Sequence, residues 1–290
     1  MRGSGSGRDA EQSEGTTVTD DSSIPAQDEW SDIDTTVPRS ARIWNYWLGG
    51  KDYYAVDRKV GDQFRDIFPD IIAVARASRA FNARSVRYLA GEAGIRQFLD
   101  IGTGLPSANN THEVAQSVAP DSRIVYVDND PLVLAHARAL LTTTREGACQ
   151  YIDADLRKPD TILQAAARTL DFGQPVALML NGILGHIGDA AEAYAIVNRL
   201  MDALPSGSYL ALNDGTNVVR GKEFGEAMQV WNQASTAPYC LRSIEEIAHF
   251  FDGLELVEPG VVSVPRWRPE VNPFGVPAEV DAFGGVGRKP

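Results

Sequence analysis

From Gln97 onward the chain alternates short apolar runs with amphipathic segments, and that rhythm leaves it few architectures. Gln97–Ile101, Arg123–Asp128, Tyr151–Asp153, Val176–Leu180 and Tyr209–Leu212 have the length and composition of buried strands. Helical segments separate them. Asn110 with Glu113, and Asp189 with Glu192, have capping-box spacing. Asp130-Pro131 places an N-cap before a first-turn proline, and Pro159–Leu170 reads as another helix. Ser243 with Glu246 opens a helix through Phe251, residues 216–235 read as helical, and Leu254–Glu258 and Ala282–Arg288 read as two final strands. Alternation of this kind implies a parallel sheet with helices on both faces. Right-handed crossovers then put a ligand cleft at the carboxyl ends of the strands.

The stretch before Gln97 has a different character. Ser40 is placed to cap a helix carrying Ile43, Trp44, Trp47 and Leu48, which Gly49-Gly50 ends. Val56, Val60, Phe64, Ile67 and Phe68 recur at helical spacing, as do Ile72, Ala75, Phe81 and Val86. Residues 1–36 hold almost no apolar side chains and cannot bury enough surface to offset their ordering entropy, so a disordered acidic tail is expected. Nine acids against two bases give that tail −7 of the formal −12, leaving −5 for the rest. No basic surplus is present, which argues against a nucleic-acid partner. No apolar run reaches membrane-spanning length and the N-terminus has no signal-peptide core, so a cytoplasmic protein is expected. Cys149 and Cys240 read as buried thiols of a reducing compartment.

The chemistry concentrates at Phe98-Leu99-Asp100-Ile101-Gly102-Thr103-Gly104, a strand running into a glycine pair with an acid just before it. Glycine lets the backbone approach a ligand where a Cβ would collide. A second acidic strand end, Val125-Tyr126-Val127-Asp128, lies 24 residues beyond Gly104. A carboxylate there can accept both ribose hydroxyls of an adenosine. A dinucleotide would need the third glycine of GxGxxG, and here that place holds Ser107. Asp100 would also repel a pyrophosphate, whereas it suits a ligand carrying an ammonium and a sulfonium. S-adenosylmethionine is therefore favoured over a nicotinamide dinucleotide.

The chain resembles class I S-adenosylmethionine-dependent methyltransferases, and more closely a methyltransferase-like family of largely unassigned substrate. The resemblance covers residues 37–290. It rests on Ala41–Asp52, Phe98–Pro106, Val125–Pro131, Asp153–Arg157 and the terminal Gly284–Pro290. It implies a Rossmann-like, seven-stranded, mostly parallel sheet with an antiparallel last strand, plus an N-terminal helical cap. Residues 1–36 would be the tail, 37–95 the cap or lid, and 96–290 the cofactor-binding methyltransferase domain. It places Asp100, Gly102 and Gly104 around the methionine part, and Asp128 with its neighbour Asn129 at the ribose. Asp155 and Leu156 would lie at the adenine, and Asn181 would line the methyl-transfer region. The family usually has threonine at position 107, and Ser107 keeps the hydroxyl.

His186 follows the fourth strand on the expected cleft loop and is the leading candidate base, with Tyr53 and Tyr54 next. A structural role is the plainer reading of His186. Lys51–Tyr54 follow the double-glycine break and fit either a lid or plain surface. Trp44, Tyr46 and Trp47 fit either helix packing or a substrate pocket. Asp130 reads as a helix cap. His112-Glu113-Val114-Ala115-Gln116 lacks the second histidine of a zinc helix, and no metal is expected. Arg266-Trp267-Arg268 reads as an anionic-substrate contact or a solvated loop. The expectation is a methyltransferase acting on a small-molecule acceptor. The alternatives are a non-catalytic sensor or scaffold that binds S-adenosylmethionine or its demethylated product, and a nicotinamide-dependent oxidoreductase. Homo-oligomerisation is compatible with the sequence.

Overall fold

The structure, a computed structural model, describes residues 33–140, 143–235, 237–270 and 275–290. The expected disordered tail lies outside the described residues as far as residue 32. From there the chain is packed: Ile33 is buried with Leu105, Leu132 and Val133. Among the described residues no helix is long and apolar enough to cross a membrane.

Five strands run parallel: β1 (Gln97–Ile101), β2 (Arg123–Asp128), β3 (Ala148–Asp153), β4 (Ala177–Asn181) and β5 (Tyr209–Gly215). Long β8 (Ala282–Arg288) lies antiparallel beside β5, and short β6 (Glu255–Leu256) pairs antiparallel with β8. The order is β3-β2-β1-β4-β5-β8-β6. An eighth strand, β7 (Val262–Ser263), also pairs with β8 and was not expected. It is two residues long, too short to show an alternation that a sequence pattern could carry.

Strand alternation sends the two sheet faces into two cores. Leu99, Ile101, Val125, Val127, Leu178, Leu180, Leu210 and Leu212 pack on one side with α6 (Pro159–Ala166), α7 (Ala190–Asp202) and α9 (Ile244–His249). Phe98, Ile124, Tyr126, Ala177, Met179, Tyr209 and Ala211 pack on the other. There they meet α1 (Ser40–Trp47), α2 (Ala55–Ile67), α3 (Ile71–Gly91), α4 (Thr111–Val118) and α8 (Gly221–Ala234). The N-terminal helices thus share one core with the sheet. Trp47, Phe64, Phe68, Phe224 and Trp231 form an aromatic cluster that fastens α1 and α2 to α8.

Local signals set the helix starts. Asn110 and Glu113 form a capping box on α4, as do Ser243 and Glu246 on α9. Asp189 accepts from Ala191 N and Glu192 N at the start of α7. Asp130 Oδ1 accepts from Leu132 N at 2.9 Å and caps α5 (Pro131–Leu140). Ser40 differs from expectation. It is the first helical residue of α1, and Arg39 holds the cap position without a side-chain bond. The reason is tertiary: the Arg39 N–H donates to Asp57 Oδ1 at 2.9 Å, an acceptor that α2 supplies. Cys149 and Cys240 are half-buried free thiols, more exposed than expected.

Candidate functional site

The order β2-β1-β4 reverses direction at β1, and an α/β sheet binds ligands at such a point, beyond the carboxyl ends of its strands. Alternation decides which side chains arrive there. Asp100 continues the face of Phe98, Asp128 that of Tyr126, Asn181 that of Met179 and Asn213 that of Ala211. All four therefore turn toward the layer that contains α3. A cavity of about 370 Å³ opens at this place, with α1 and α3 on one side and the strand-end loops on the other.

The glycine turn shapes its floor. Gly102 and Gly104 have φ of +76° and +64°, the left-handed region that side chains disfavour. A Cβ on Gly102 would also fall 2.6 Å from Ile183 Cγ1. Gly102 N donates to Val127 O at 2.8 Å, and Gly104 N to Asp128 Oδ2 at 2.9 Å. The other oxygen, Asp128 Oδ1, accepts from Asn129 N at 2.8 Å and Asp130 N at 3.0 Å. Three backbone donors thus aim this carboxylate while leaving it acceptor capacity for a ligand. Asp100, buried at the end of β1, accepts from Thr111 Oγ1 at 2.6 Å. Burial pushes both carboxyls up to about 6. For Asp100, the Thr111 hydroxyl and the Arg79 charge pull back down, and Asp128 pushes further up. Two desolvated carboxyls at adjacent strand ends are a site short of positive charge.

A polar chain crosses the cavity wall from one strand end to another. Ser78 Oγ donates to Asn213 Oδ1 (2.8 Å), and Asn213 Nδ2 to Asn181 Oδ1 (2.6 Å). Asn181 Nδ2 donates to Asn82 Oδ1 (2.8 Å), and Asn82 Nδ2 to Thr111 Oγ1 (3.2 Å). Thr111 then reaches Asp100. Each hydroxyl and amide of this chain donates to the next, so the three amide orientations and the carboxylate are fixed before any ligand arrives. Ser78, Asn82 and Asn213 were not singled out in the sequence. A signal existed: Ser78 and Asn82 share the helical face of Ala75 and Val86, and buried polar groups there need partners.

The structure brings most of the expected residues to one place. Asp100, Gly102, Gly104, Asp128, Asn129, Asp155, Leu156, Asn181 and His186 all line the cavity. Asp155 Oδ1 accepts from Arg157 N at 2.8 Å, beyond β3, and Leu156 is buried beside it. His186 Nδ1 lies 3.0 Å from Pro238 O, and a carbonyl only accepts, so Nδ1 carries the proton. Burial lowers the His186 pKa against the pull of the Pro238 and Ala237 carbonyls, which keeps the ring neutral at pH 7 with Nε2 unprotonated. Tyr53 and Tyr54 are not brought there. Tyr53 packs edge-on to Tyr46 at 4.9 Å, and the Tyr54 ring lies under Arg42 at 5.2 Å. Of the α1 aromatics, Trp44 lines the cavity and Trp47 belongs to the core.

Loop 237–242 closes the β4 side. Tyr239 OH donates to Asp214 Oδ1, Arg242 Nη1 to Asp214 Oδ2 at 3.1 Å, and Arg242 Nη2 to Ile187 O at 2.7 Å. Asp214 and Arg242 are buried and Tyr239 is half-buried, and burial raises Asp214 to about 6. His186 meets the Tyr239 ring edge-on at 5.0 Å, so this cluster sets the position of His186. The remaining sequence candidates are structural. His112 is buried against the Tyr126 hydroxyl. Arg266 and Arg268 pair with Glu279 and Glu92, and Trp267 is fully buried.

A family profile described as S-adenosyl methyltransferase matches residues 26–290. Among solved structures, a DUF574 family protein from Streptomyces avermitilis is 46% identical, with a TM-score of 0.85, over 89% of this chain and 100% of its own. A candidate methyltransferase from Thermobifida fusca is 40% identical, with a TM-score of 0.79, over 87% of this chain and 95% of its own. No curated protein matches the chain in sequence.

Proposed function

Because the chain belongs to the S-adenosyl methyltransferase family, with S-adenosylmethionine as its cofactor, we propose that it methylates a small-molecule acceptor in the cavity at the ends of β1, β2 and β4. One observation carries the reading: Asp100, buried, and Asp128, half-buried, on either side of a left-handed glycine turn, form an anionic cradle for a cationic adenosyl amino acid. The bound cofactor supplies a methyl group on a sulfonium, whose positive charge already activates its leaving group. The protein's task is then to position the partners and exclude water.

Asp100 accepts from the ammonium end. Asp128, with Asn129 beside it, accepts from the ribose hydroxyls. Asp155 accepts from the adenine amine, with Leu156 against the ring. Asn181, locked by Asn82 and Asn213, faces the acceptor end. His186 takes a proton through Nε2 from an acceptor that must lose one. Tyr53 and Tyr54, outside the cavity lining, take no part. The acceptor is small because the cavity volume falls within the small-molecule range and helices cover one side. An acidic chain also makes a poor partner for nucleic acid.

The test is incubation with methyl-labelled S-adenosylmethionine and the low-mass fraction of a cell extract, alongside calorimetry with S-adenosylhomocysteine. The expected result is binding with label in a low-mass product. Binding without any transfer would point to a sensor. Label found in macromolecules alone would overturn the small-molecule acceptor, and no binding would overturn the site.

A further inference from the structure

Helix α1 runs from the ribose side of the cavity to His186. At its start, Ala41 packs against the cluster of Ile33, Leu105, Leu132 and Val133, and Arg42 Nη2 lies 3.5 Å from Asp130 Oδ1. At its end, Trp47 meets Trp231 at 5.9 Å, and Trp231 Nε1 donates to Ala237 O at 3.1 Å. The next residue, Pro238, holds His186 Nδ1. Trp44, Leu48, Ile183, Ile187, Ala237 and Pro238 line the cavity on this side. The wall near His186 is thus apolar, where the wall of the cofactor end is carboxylate and glycine.

Two neighbours on α1 have binding capacity left over. Trp44 packs edge-on to Trp47 at 5.8 Å yet stays half-buried, whereas Trp47 and Trp231 are 4% and 3% exposed. An indole left half-open at a cavity suits a flat ring. Asn45 also lines the cavity and is 5% exposed. Its Oδ1 accepts from Asp52 N at 3.0 Å, and its amide lies so close to Gly50 that a Cβ there would collide with it. The amide is therefore oriented. Its Nδ2 donates to no group among the described residues and is not sealed off, so a ligand oxygen can take that donor.

His186 narrows the reacting group. A carboxylate acceptor is already ionised and an amine attacks as its neutral form, so neither needs a base at the moment of transfer. An aliphatic hydroxyl holds its proton too tightly for an imidazole whose pKa burial lowers. A phenol, with a pKa of about 10 like that of tyrosine, is within reach. The aromatic wall and the base point to one compound class by separate routes. We propose that the acceptor is a planar phenol carrying a second oxygen, with its ring against Trp44, the second oxygen accepting from Asn45 Nδ2, and the hydroxyl at His186. This rests on the methyl-transfer reading above. The hydroxyl proton passes to His186 Nε2, the phenol oxygen bonds to the methyl carbon, and the electron pair of the broken carbon–sulfur bond stays on sulfur. The products are an aryl methyl ether and S-adenosylhomocysteine.

The experiment uses the full chain with methyl-labelled S-adenosylmethionine and the low-mass fraction of a cell extract, followed by mass and ultraviolet spectra of the labelled product. An aryl methyl ether bearing a further oxygen is expected. Label on an aliphatic compound, a carboxylate or a nitrogen overturns the assignment. Two variants test the wall: Trp44→Leu, and Asn45→Asp, which keeps an oxygen for Asp52 N and loses the donor. Each is expected to raise the amount of extract fraction needed for half-maximal labelling by roughly 2- to 12-fold. S-adenosylhomocysteine affinity in calorimetry is expected to stay within about twofold. An unchanged half-maximal amount in either variant overturns the assignment. So does an equal loss of S-adenosylhomocysteine affinity, which would mark a structural role. Wild-type protein that binds S-adenosylhomocysteine but transfers no label overturns the methyl-transfer reading itself, a failure distinct from a product of the wrong class.

Discussion

Asp100 and Asp128 set the terms on which the cavity takes a ligand, because each is an acid that burial holds near pH 6. Asp100 must be ionised to pair with the ligand's ammonium, and Asp128 to accept from both ribose hydroxyls. Affinity for S-adenosylhomocysteine is therefore expected to fall as pH drops through about 6, by up to about tenfold per pH unit for each carboxyl that must release its proton. Calorimetry between pH 5 and 8 checks this. The same shift has a stability sign. The folded Asp100 holds its proton more tightly than the unfolded chain does, so its contribution worsens as pH rises from about 4 through 6. Asp100→Asn is therefore expected to stabilise the ligand-free protein at pH 7, by up to about 3 kcal/mol, and to weaken cofactor binding. The gain should vanish below about pH 4 in urea melts at each pH. Asp128→Asn loses the charge and leaves one oxygen for donors that now use two. An affinity loss of roughly 10- to 150-fold is expected in the same calorimetry.

At the scale of elements, α3 does more than cover the sheet. Its apolar face, with Val74, Phe81, Val86 and Leu89, enters the core, while Ser78 and Asn82 on that face reach the strand ends. Asn82→Ala leaves Asn181 Nδ2 without its acceptor and Thr111 without its donor. A destabilisation of about 1–3 kcal/mol is expected in denaturant melts. Turnover should fall with it, because Asn181 is no longer held. The turn at β1 was legible in the sequence for the opposite reason. A strand, an acid and two glycines are neighbours in the chain, and their geometry is local.

At the scale of the molecule, the buried Asp214–Arg242 pair joins β5 to the loop that carries Ala237 and Pro238 over the cavity. Removing one partner of such a pair strands the other charge. Arg242→Met is expected to cost about 3–5 kcal/mol, lowering the melting temperature by roughly 6–20 °C for a chain of this size. Scanning calorimetry checks it. A milder change, Tyr239→Phe, keeps the ion pair and the ring against His186, and is expected to shift the melt less than Arg242→Met.

All strands but β7, the parallel sense of the first five, the caps at Asn110, Asp130, Asp189 and Ser243, and the acidic strand ends at Asp100 and Asp128 were readable from the chain. Their signals are periodicity, capping chemistry and spacing, which act within a turn or a strand. What lay outside that reach was decided by distant partners. Arg39 displaced Ser40 at the cap because Asp57 offered an acceptor 18 residues away. Ser78 meets Asn213 across 135 residues and Asn82 meets Asn181 across 99, so no local pattern could pair them. Tyr53 and Tyr54 sit close to the glycine break in sequence, yet their rings settle on Tyr46 and Arg42. Local physics chose the elements; burial of polar groups that had to find partners chose which side chains line the cavity.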